Sequence, residues 1–304
     1  MKIAFSTTKQ WNPGDELILK GVRNLLGAHT FIMFNRHPHF KPDRKGDNSY
    51  TFGVGDEIID HIVFAGSPEY YESPNDDLYR LISSHGVPFS YIGVGGLPYR
   101  SDRPYSSATI AFARDNAAGM IPNSIVAPCP SIYAVTEMDP SIVTKKEKIA
   151  FCYQANSRYI CSPAEQVNRI SKEFINKYNP TVICHSYVDY AEAINNGWDV
   201  LYSSDMNDYF EFYKNFDLVV GTRIHGSGWA ATFGIPSITI AHDARASTAS
   251  KFGSVVCTHD ELYDIFEKFN CAENSKNIID IRKKWLPMYL QQLEPIFGKA
   301  INFK

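Results

Sequence analysis

Short apolar runs alternate with amphipathic stretches along most of this chain, a pattern typical of α/β proteins. The predicted strands are Lys2–Phe5, Phe31–Phe34, His61–Ala65, Val87–Val94, Thr109–Ala113, Ile125–Ala127, Ile149–Tyr153, Thr181–Cys184, Asp199–Tyr202, Asp217–Val220 and Ser237–Ala241. Helical periodicity fills most of the intervals, and the chain from Lys276 to about Phe297 is predicted to be helical with interruptions at Pro287 and Pro295.

A polar stretch between Thr136 and Lys148 separates two such strand–helix series. We therefore predict two doubly wound, Rossmann-like domains, 1–140 and 141–304, that face each other across a cleft. The second domain carries the terminal helices, and ligands are expected at the carboxyl ends of the strands.

One stretch of the second series combines a buried strand, a tight loop and a short helix. The predicted strand ends at Gly221, and the loop after it contains Arg223 and His225. A helix is then predicted from Ser227 to Phe233, with Gly234 as its left-handed cap. Free backbone N–H groups and the helix dipole favour an anion at such a turn, so the pattern indicates phosphate or carboxylate chemistry. The alternative is that Arg223 pairs with a local acid and His225 caps the helix.

The first strand leads into a second candidate loop, Asn12-Pro13-Gly14-Asp15-Glu16, ahead of an amphipathic helix. This loop is neither a dinucleotide fingerprint nor a Walker A motif. His37 and His39 could begin a metal site, but no cysteine or clear carboxylate partner lies near them, so no metal is expected.

Composition narrows the function classes. The chain has 304 residues, a net charge of -3 and no Lys/Arg-rich tract, so a nucleic-acid partner is not expected. No signal peptide and no transmembrane run is evident, which favours a cytoplasmic protein that could still associate with a membrane surface. Its 6 cysteines include no CxxC pair and are expected to be reduced.

Two motifs bring a family resemblance. The segment Gly221-Thr222-Arg223-Ile224-His225, followed by Ala230-Ala231, Gly234-Ile235-Pro236 and His242-Asp243, resembles the polysaccharide pyruvyl transferase family, and so does the loop 12–16. The resemblance implies a GT-B-like fold. It also implies transfer of pyruvate from phosphoenolpyruvate onto two hydroxyls of a sugar as a cyclic ketal, with release of phosphate and without a cofactor. The acceptor would be a sugar or a lipid-linked oligosaccharide in cell-surface glycan biosynthesis.

The resemblance also implies roles for individual residues. It implies that Arg223, His225 and Arg158 contact the donor. From the chemistry of the transfer we assign His225 as the general acid/base, and Asp15 either orients or deprotonates an acceptor hydroxyl or is a structural acid at the start of its helix. The expected donor-binding residues are Arg158, Arg223, Gly226 and Ser227, and the expected acceptor-binding residues are Asn12 and Asn156.

Two other functions remain open from the sequence. One is a nucleotide-sugar glycosyltransferase of similar architecture, in which the arginines would hold a diphosphate. Enzymes of that kind often use a glutamate for the ribose, whereas the loop after Ala241 offers Asp243 and Arg245. The other is a non-catalytic protein that binds sugars or anions on the same scaffold.

Overall fold

The structure is a computed structural model that describes residues 1–7, 12–35, 58–66, 76–95, 104–115, 121–139, 141–155, 164–242 and 246–303. The predictions for Asn156, Arg158 and the two histidines of the HxH pair lie outside the described residues. Those for Asp243 and Arg245 also lie outside them.

The described residues form parallel strands that alternate with helices. The strands are β1 (Lys2–Thr7), β2 (Thr30–Asn35), β3 (His61–Ala65), β4 (Phe89–Val94), β5 (Ile110–Ala113), β6 (Ile125–Val126), β7 (Ile149–Tyr153), β8 (Thr181–Cys184), β9 (Val200–Leu201), β10 (Leu218–Gly221), β11 (Ser237–Ile240) and β12 (Val255–Cys257). The helices are α1 (Pro13–Leu26), α2 (Asp76–His85), α3 (Ala164–Tyr178), α4 (Tyr187–Asn195), α5 (Met206–Tyr213), α6 (Ile224–Thr232), α7 (Ala246–Lys251), α8 (Leu262–Lys268) and α9 (Cys271–Phe297).

The first sheet has the strand order β2-β1-β3-β4-β5-β6. All of its pairings are parallel, and Ile3 of β1 lies opposite Phe31 on one side and His61 on the other. The chain moves from β1 to β2 and then crosses back to β3, so the topological switch point lies between β1 and β3. An aromatic cluster packs against this sheet, with the rings of Phe64 and Tyr91 stacked at 5.1 Å.

The second sheet has the order β12-β11-β10-β7-β8-β9 and is also parallel throughout. Here the switch point lies between β7 and β10, with Gly221 in register with Cys152. Open α/β sheets bind ligands at the carboxyl ends of strands at such a point. The core beside β7 includes Phe151 and Phe174, whose rings are 5.6 Å apart.

The chain divides into two compact units. The first consists of Met1–Trp11, Asp15–Thr136 and Lys284–Lys304, and the second of Asn12–Gly14 and Glu137–Lys283. The division into domains 1–140 and 141–304 stays a prediction. Within the described residues, none of the helices combines the length and the apolar character that a bilayer crossing requires.

The carboxyl-terminal region differs in two ways from the sequence prediction. Helix α9 runs through Pro287 and Pro295 without a break, because buried residues such as Ile279 and Tyr289 hold it on both sides of the first proline. The second difference is that α7 and β12 were missed, since the stretch 246–257 is rich in small and polar residues and shows no clear period.

Candidate functional site

The loop after β10 lies at the switch point of the second sheet. Strand β10 is buried along its length and ends at Gly221, where an added Cβ would overlap the Cys152 carbonyl of β7. A glycine is therefore needed for this close approach. The chain then passes through Thr222 to Arg223, which is the N-cap residue of α6.

Two acceptors on neighbouring elements hold Arg223, a backbone carbonyl of β7 and a carboxylate of α4. Its Nε donates to the Tyr153 carbonyl at the end of β7, at 3.2 Å, and its Nη2 forms an ion pair with Asp189 of α4. Burial acts to lower the pKa of Arg223, but the charge and hydrogen bond of Asp189, together with smaller contributions from Cys152 and Cys184, outweigh it and the pKa is raised. The guanidinium is therefore a fixed cation, and its side chain is still 21% exposed.

Asp189 was not singled out from the sequence. Its carboxylate is 2% exposed, and its second oxygen accepts the Ala155 N–H at 2.8 Å. It lies in the first turn of α4, whose N-cap Ser186 accepts the Asp189 N–H through its hydroxyl. The spacing Ser186-x-x-Asp189 is the signature of a capping box, and this signal could have drawn attention to the residue.

His225 is the second residue of α6 and is half-buried. The N-cap residue of this helix is Arg223, whose side chain makes no capping hydrogen bond, so His225 is not the N-cap residue that the alternative required. Gly14 groups with the second unit, and a Cβ added there would overlap the His225 imidazole. Asn12 accepts the Gly14 N–H at 3.0 Å through its side chain. The structure thus brings the glycine of the first motif against the histidine of the second.

Gly226 and Ser227 face the interior of the second unit. A Cβ on Gly226 would lie 2.6 Å from Cys152 Cβ and 2.8 Å from its Sγ, so α6 rests directly on β7. The Ser227 hydroxyl is buried against the Thr239 hydroxyl of β11. The Gly226 N–H donates to the Arg223 carbonyl at 2.9 Å, so the donor-binding roles of these two residues stay predictions.

A buried polar cluster lies beneath this loop. Tyr213 donates its hydroxyl to the Cys152 sulfur at 3.2 Å and lies 2.9 Å from His185 Nε2. Burial raises the pKa of Cys152 to about 12, which removes this thiol as a nucleophile at neutral pH. The cluster supports the floor of the site and was not expected from the sequence.

Asp15 belongs to the first unit, in the first turn of α1. Its side chain is buried, and its Oδ1 would lie 3.5 Å from a Cβ added to Gly66, the residue after β3. Asp15 thus lies near the switch point of the first sheet. Over the described parts of the chain, no group of three or more His, Cys, Asp or Glu side chains could hold a metal ion.

Comparison with solved structures identifies the fold. The S. aureus MnaA–UDP structure has a TM-score of 0.53 at 14% identity and covers 100% of this chain and 92% of its own. Anabaena HepE with UDP-glucose has a TM-score of 0.57 at 12% identity, covering 97% of this chain and 98% of its own. UDP-GlcNAc 2-epimerase from Methanocaldococcus jannaschii, with UDP-GlcNAc and UDP, has a TM-score of 0.52 at 10% identity, covering 93% and 99%.

At these identities the likeness shows the fold alone. It confirms the prediction of a GT-B-like α/β protein built on two parallel sheets with a helical carboxyl-terminal segment. No curated protein sequence matches this chain. The model of the polysaccharide pyruvyl transferase family matches residues 12–244, a range that contains both the loop that begins at Asn12 and the Arg223–His225 loop. The chain therefore belongs to the polysaccharide pyruvyl transferase family.

Proposed function

We propose that this protein transfers pyruvate from phosphoenolpyruvate to two hydroxyls of a sugar, forming a cyclic ketal and releasing phosphate. The observation that carries the proposal is the Arg223 guanidinium, which is anchored on one edge and still part-exposed beside His225. Membership of the family supports a transferase that acts on a polysaccharide.

The donor has a phosphate and a carboxylate, and both groups suit a fixed guanidinium. Within the described residues, the contacts of Arg223 use its Nε and Nη2, which leaves the Nη1 amino group available to a ligand. A guanidinium edge can bind a carboxylate or phosphate through two parallel hydrogen bonds. The positive end of the α6 helix dipole also favours an anion here, and Arg158 is proposed as the second arginine of the clamp.

The reaction needs two proton movements that balance. His225 delivers a proton to the methylene carbon, C2 becomes electrophilic, and the first sugar hydroxyl adds to it. The C2–O bond to phosphate then breaks, and the second hydroxyl closes the ketal. One hydroxyl proton replaces the proton that His225 gave, and the other leaves with phosphate. An imidazole can serve in both directions near neutral pH.

The acceptor side rests on family membership alone. The roles of Asp15, Asn12 and Asn156 toward a sugar hydroxyl stay predictions. We propose a sugar or lipid-linked oligosaccharide as the acceptor, because the family acts on polysaccharides.

The test measures phosphate release from phosphoenolpyruvate with a panel of hexoside acceptors. His225→Ala is expected to abolish release while donor binding is retained. Arg223→Ala is expected to weaken donor binding by about 10- to 150-fold, since a hydrogen bond to a charged group is worth about 1.5–3 kcal/mol. Arg169→Ala is the matched control, because Arg169 is exposed on α3, where it forms an ion pair with Glu173. Unchanged turnover in His225→Ala would remove this histidine from the mechanism.

Thermal-shift measurements separate the proposal from its alternatives. The structural relatives described above include complexes with UDP and UDP sugars, so UDP and GDP are compared with phosphoenolpyruvate. Stabilisation by phosphoenolpyruvate alone supports the pyruvyl transferase, whereas stabilisation by UDP or GDP alone supports a glycosyltransferase. Donor binding without phosphate release across the whole acceptor panel supports a binding protein.

A further inference from the structure

Asp189 touches both loops that leave the switch point of the second sheet. We propose that Asp189 is a positioning residue, which fixes the direction of the Arg223 guanidinium and the start of the segment after β7. The inference rests on the proposed function for the identity of the donor, but its structural part does not depend on that donor.

Each oxygen of the carboxylate has its own task. Oδ2 accepts from Arg223 Nη2, and Oδ1 accepts from the Ala155 N–H at 2.8 Å. Ala155 immediately precedes Asn156 and lies three positions before Arg158, the two residues predicted to contact ligand from that loop. One carboxylate therefore links the loop that carries Arg223 to the first residue of the other loop.

The first turn of α4, which carries Asp189, is itself fixed. Its backbone N–H is bonded to the Ser186 hydroxyl at the N-cap, two residues after the end of β8. A carboxylate in the first turn also interacts favourably with the helix dipole. Asp189 is thus attached to a strand next to β7 in the sheet, and its position follows from the sheet order.

The anchoring of Arg223 is directional. The guanidinium is planar, and two contacts on the side of Nε and Nη2, to Tyr153 and Asp189, leave it no freedom to rotate about its long axis. The remaining N–H groups then point in one direction. Because the desolvation of both charges cancels much of the attraction in a buried ion pair, such a pair is a poor device for stability alone. A part-exposed arginine beside a buried carboxylate fits orientation better.

Glu192 offers a matched control on the same helix. It lies one turn beyond Asp189, pairs with Lys172 at 2.7 Å and accepts the Tyr153 hydroxyl at 2.7 Å. Arg223 donates to the backbone carbonyl of Tyr153, whereas Glu192 bonds to the hydroxyl at the other end of that residue, so Glu192 does not contact Arg223. Glu192→Gln therefore removes an ion pair of α4 and leaves the contacts of Asp189 with Arg223 and Ala155 in place.

The experiment is a double-mutant cycle on phosphate release, with kcat and KM for phosphoenolpyruvate measured separately. Asp189→Asn is expected to raise this KM at least tenfold with kcat within a few-fold of the wild type, and Glu192→Gln to leave both unchanged. In an Arg223→Lys background, Asp189→Asn should add little, because its effect passes through the arginine. Fully additive effects, or an equal defect in Glu192→Gln, would overturn the proposal.

Two further variants distinguish a specific effect of Asp189 on Arg223 from a general folding defect. Asp189→Glu keeps the charge and should give a smaller rise in KM than Asp189→Asn. Asp189→Ala should regain donor affinity when formate is added, because formate can fill the vacated place beside Arg223. A purely structural role for Asp189 predicts neither the ranking nor the rescue.

A measurement without substrate separates this inference from the proposed function. Arginine side-chain NMR on ¹⁵N-labelled protein identifies the Arg223 signal by its loss in Arg223→Lys. Hindered rotation of its Nη groups is expected in the wild type and in Glu192→Gln, and free rotation in Asp189→Asn. If wild-type protein releases no phosphate from phosphoenolpyruvate, the proposed function fails while this signal still decides the role of Asp189. An Arg223 signal that is unchanged in Asp189→Asn would refute the role.

Discussion

The contact between Gly226 and strand β7 yields a quantitative prediction for Gly226→Ala. An added Cβ would lie 2.6 Å from Cys152 Cβ and 2.8 Å from its Sγ. Carbon atoms in contact normally lie about 3.5–4.0 Å apart, so the start of α6 must move away from β7 by about 1 Å. Cys152 cannot give way, because β7 is paired on both sides by β8 and β10.

This shift would fall directly on the arginine. Arg223 is the N-cap of α6, and its Nε reaches the Tyr153 carbonyl at 3.2 Å. A displacement of about 1 Å stretches this contact to about 4 Å, beyond hydrogen-bond length. The donor contact made by Arg223 should then weaken, and donor affinity should fall by up to about 150-fold if that contact is lost.

Stability is the less informative readout for this variant. Overpacking costs about 1–3 kcal/mol, but replacing glycine by alanine inside a helix regains about 1 kcal/mol. The net loss in the free energy of unfolding is therefore about 0–2 kcal/mol, or a Tm decrease of a few degrees at most.

Calorimetric titration with phosphoenolpyruvate provides the assay for Gly226→Ala. The double variant Cys152→Gly/Gly226→Ala removes both clashing atoms and should recover much of the affinity, and Cys152→Gly alone controls for the loss of the thiol. Donor affinity in Gly226→Ala equal to that of the wild type would refute the reasoning.

Three further predictions concern other parts of the structure. Gly14→Ala should lower kcat, because the added Cβ overlaps His225. Gly21→Ala on the same helix overlaps a backbone carbonyl of the first unit, so it should lower Tm with little change in kcat per folded molecule. Equal losses of kcat in the two variants would contradict this prediction. Burial lowers the pKa of His61 to about 4. Between pH 6.5 and 4 the unfolded chain therefore binds a proton at this histidine that the folded protein does not bind. The free energy of unfolding, measured by urea titration, should then fall by up to about 3 kcal/mol between pH 6.5 and 4, and His61→Gln should lack this slope. Finally, Cys152, whose pKa burial raises to about 12, should stay unmodified by a thiol reagent at pH 8 until the protein is denatured.

Local signals in the sequence were sufficient for the elements around the site. The apolar run ending at Gly221 is strand β10, and Gly234 adopts the left-handed conformation expected of a helix cap, with φ of 71°. Helix α6, however, begins at Ile224 rather than Ser227. Its first turn contains His225 and Gly226, residues with modest helix propensity, and packing on β7 decides the conformation there.

The pairing of Arg223 with Asp189 could not be derived in the same way. The predicted helix Val188–Asn195 contained the aspartate, but 34 residues separate the two partners. Nothing in local periodicity connects them, because the connection depends on β7 lying between β8 and β10. The alternative that Arg223 pairs with a local acid was right about the ion pair but wrong about the partner, because Asp189 is 34 residues away in sequence.

The sheet order explains why these residues meet. The order of the parallel strands places β8 on one side of β7 and β10 on the other, so the exits of three strands converge although Tyr153 and Arg223 are 70 residues apart. Asp189 enters from the β8 side, Arg223 from the β10 side, and Ala155 lies between them at the end of β7. An ion pair that spans the switch point can set both flanking loops at once. Asp189 lies on a helix that carries neither proposed donor-binding arginine, and from there its carboxylate bonds to both loops.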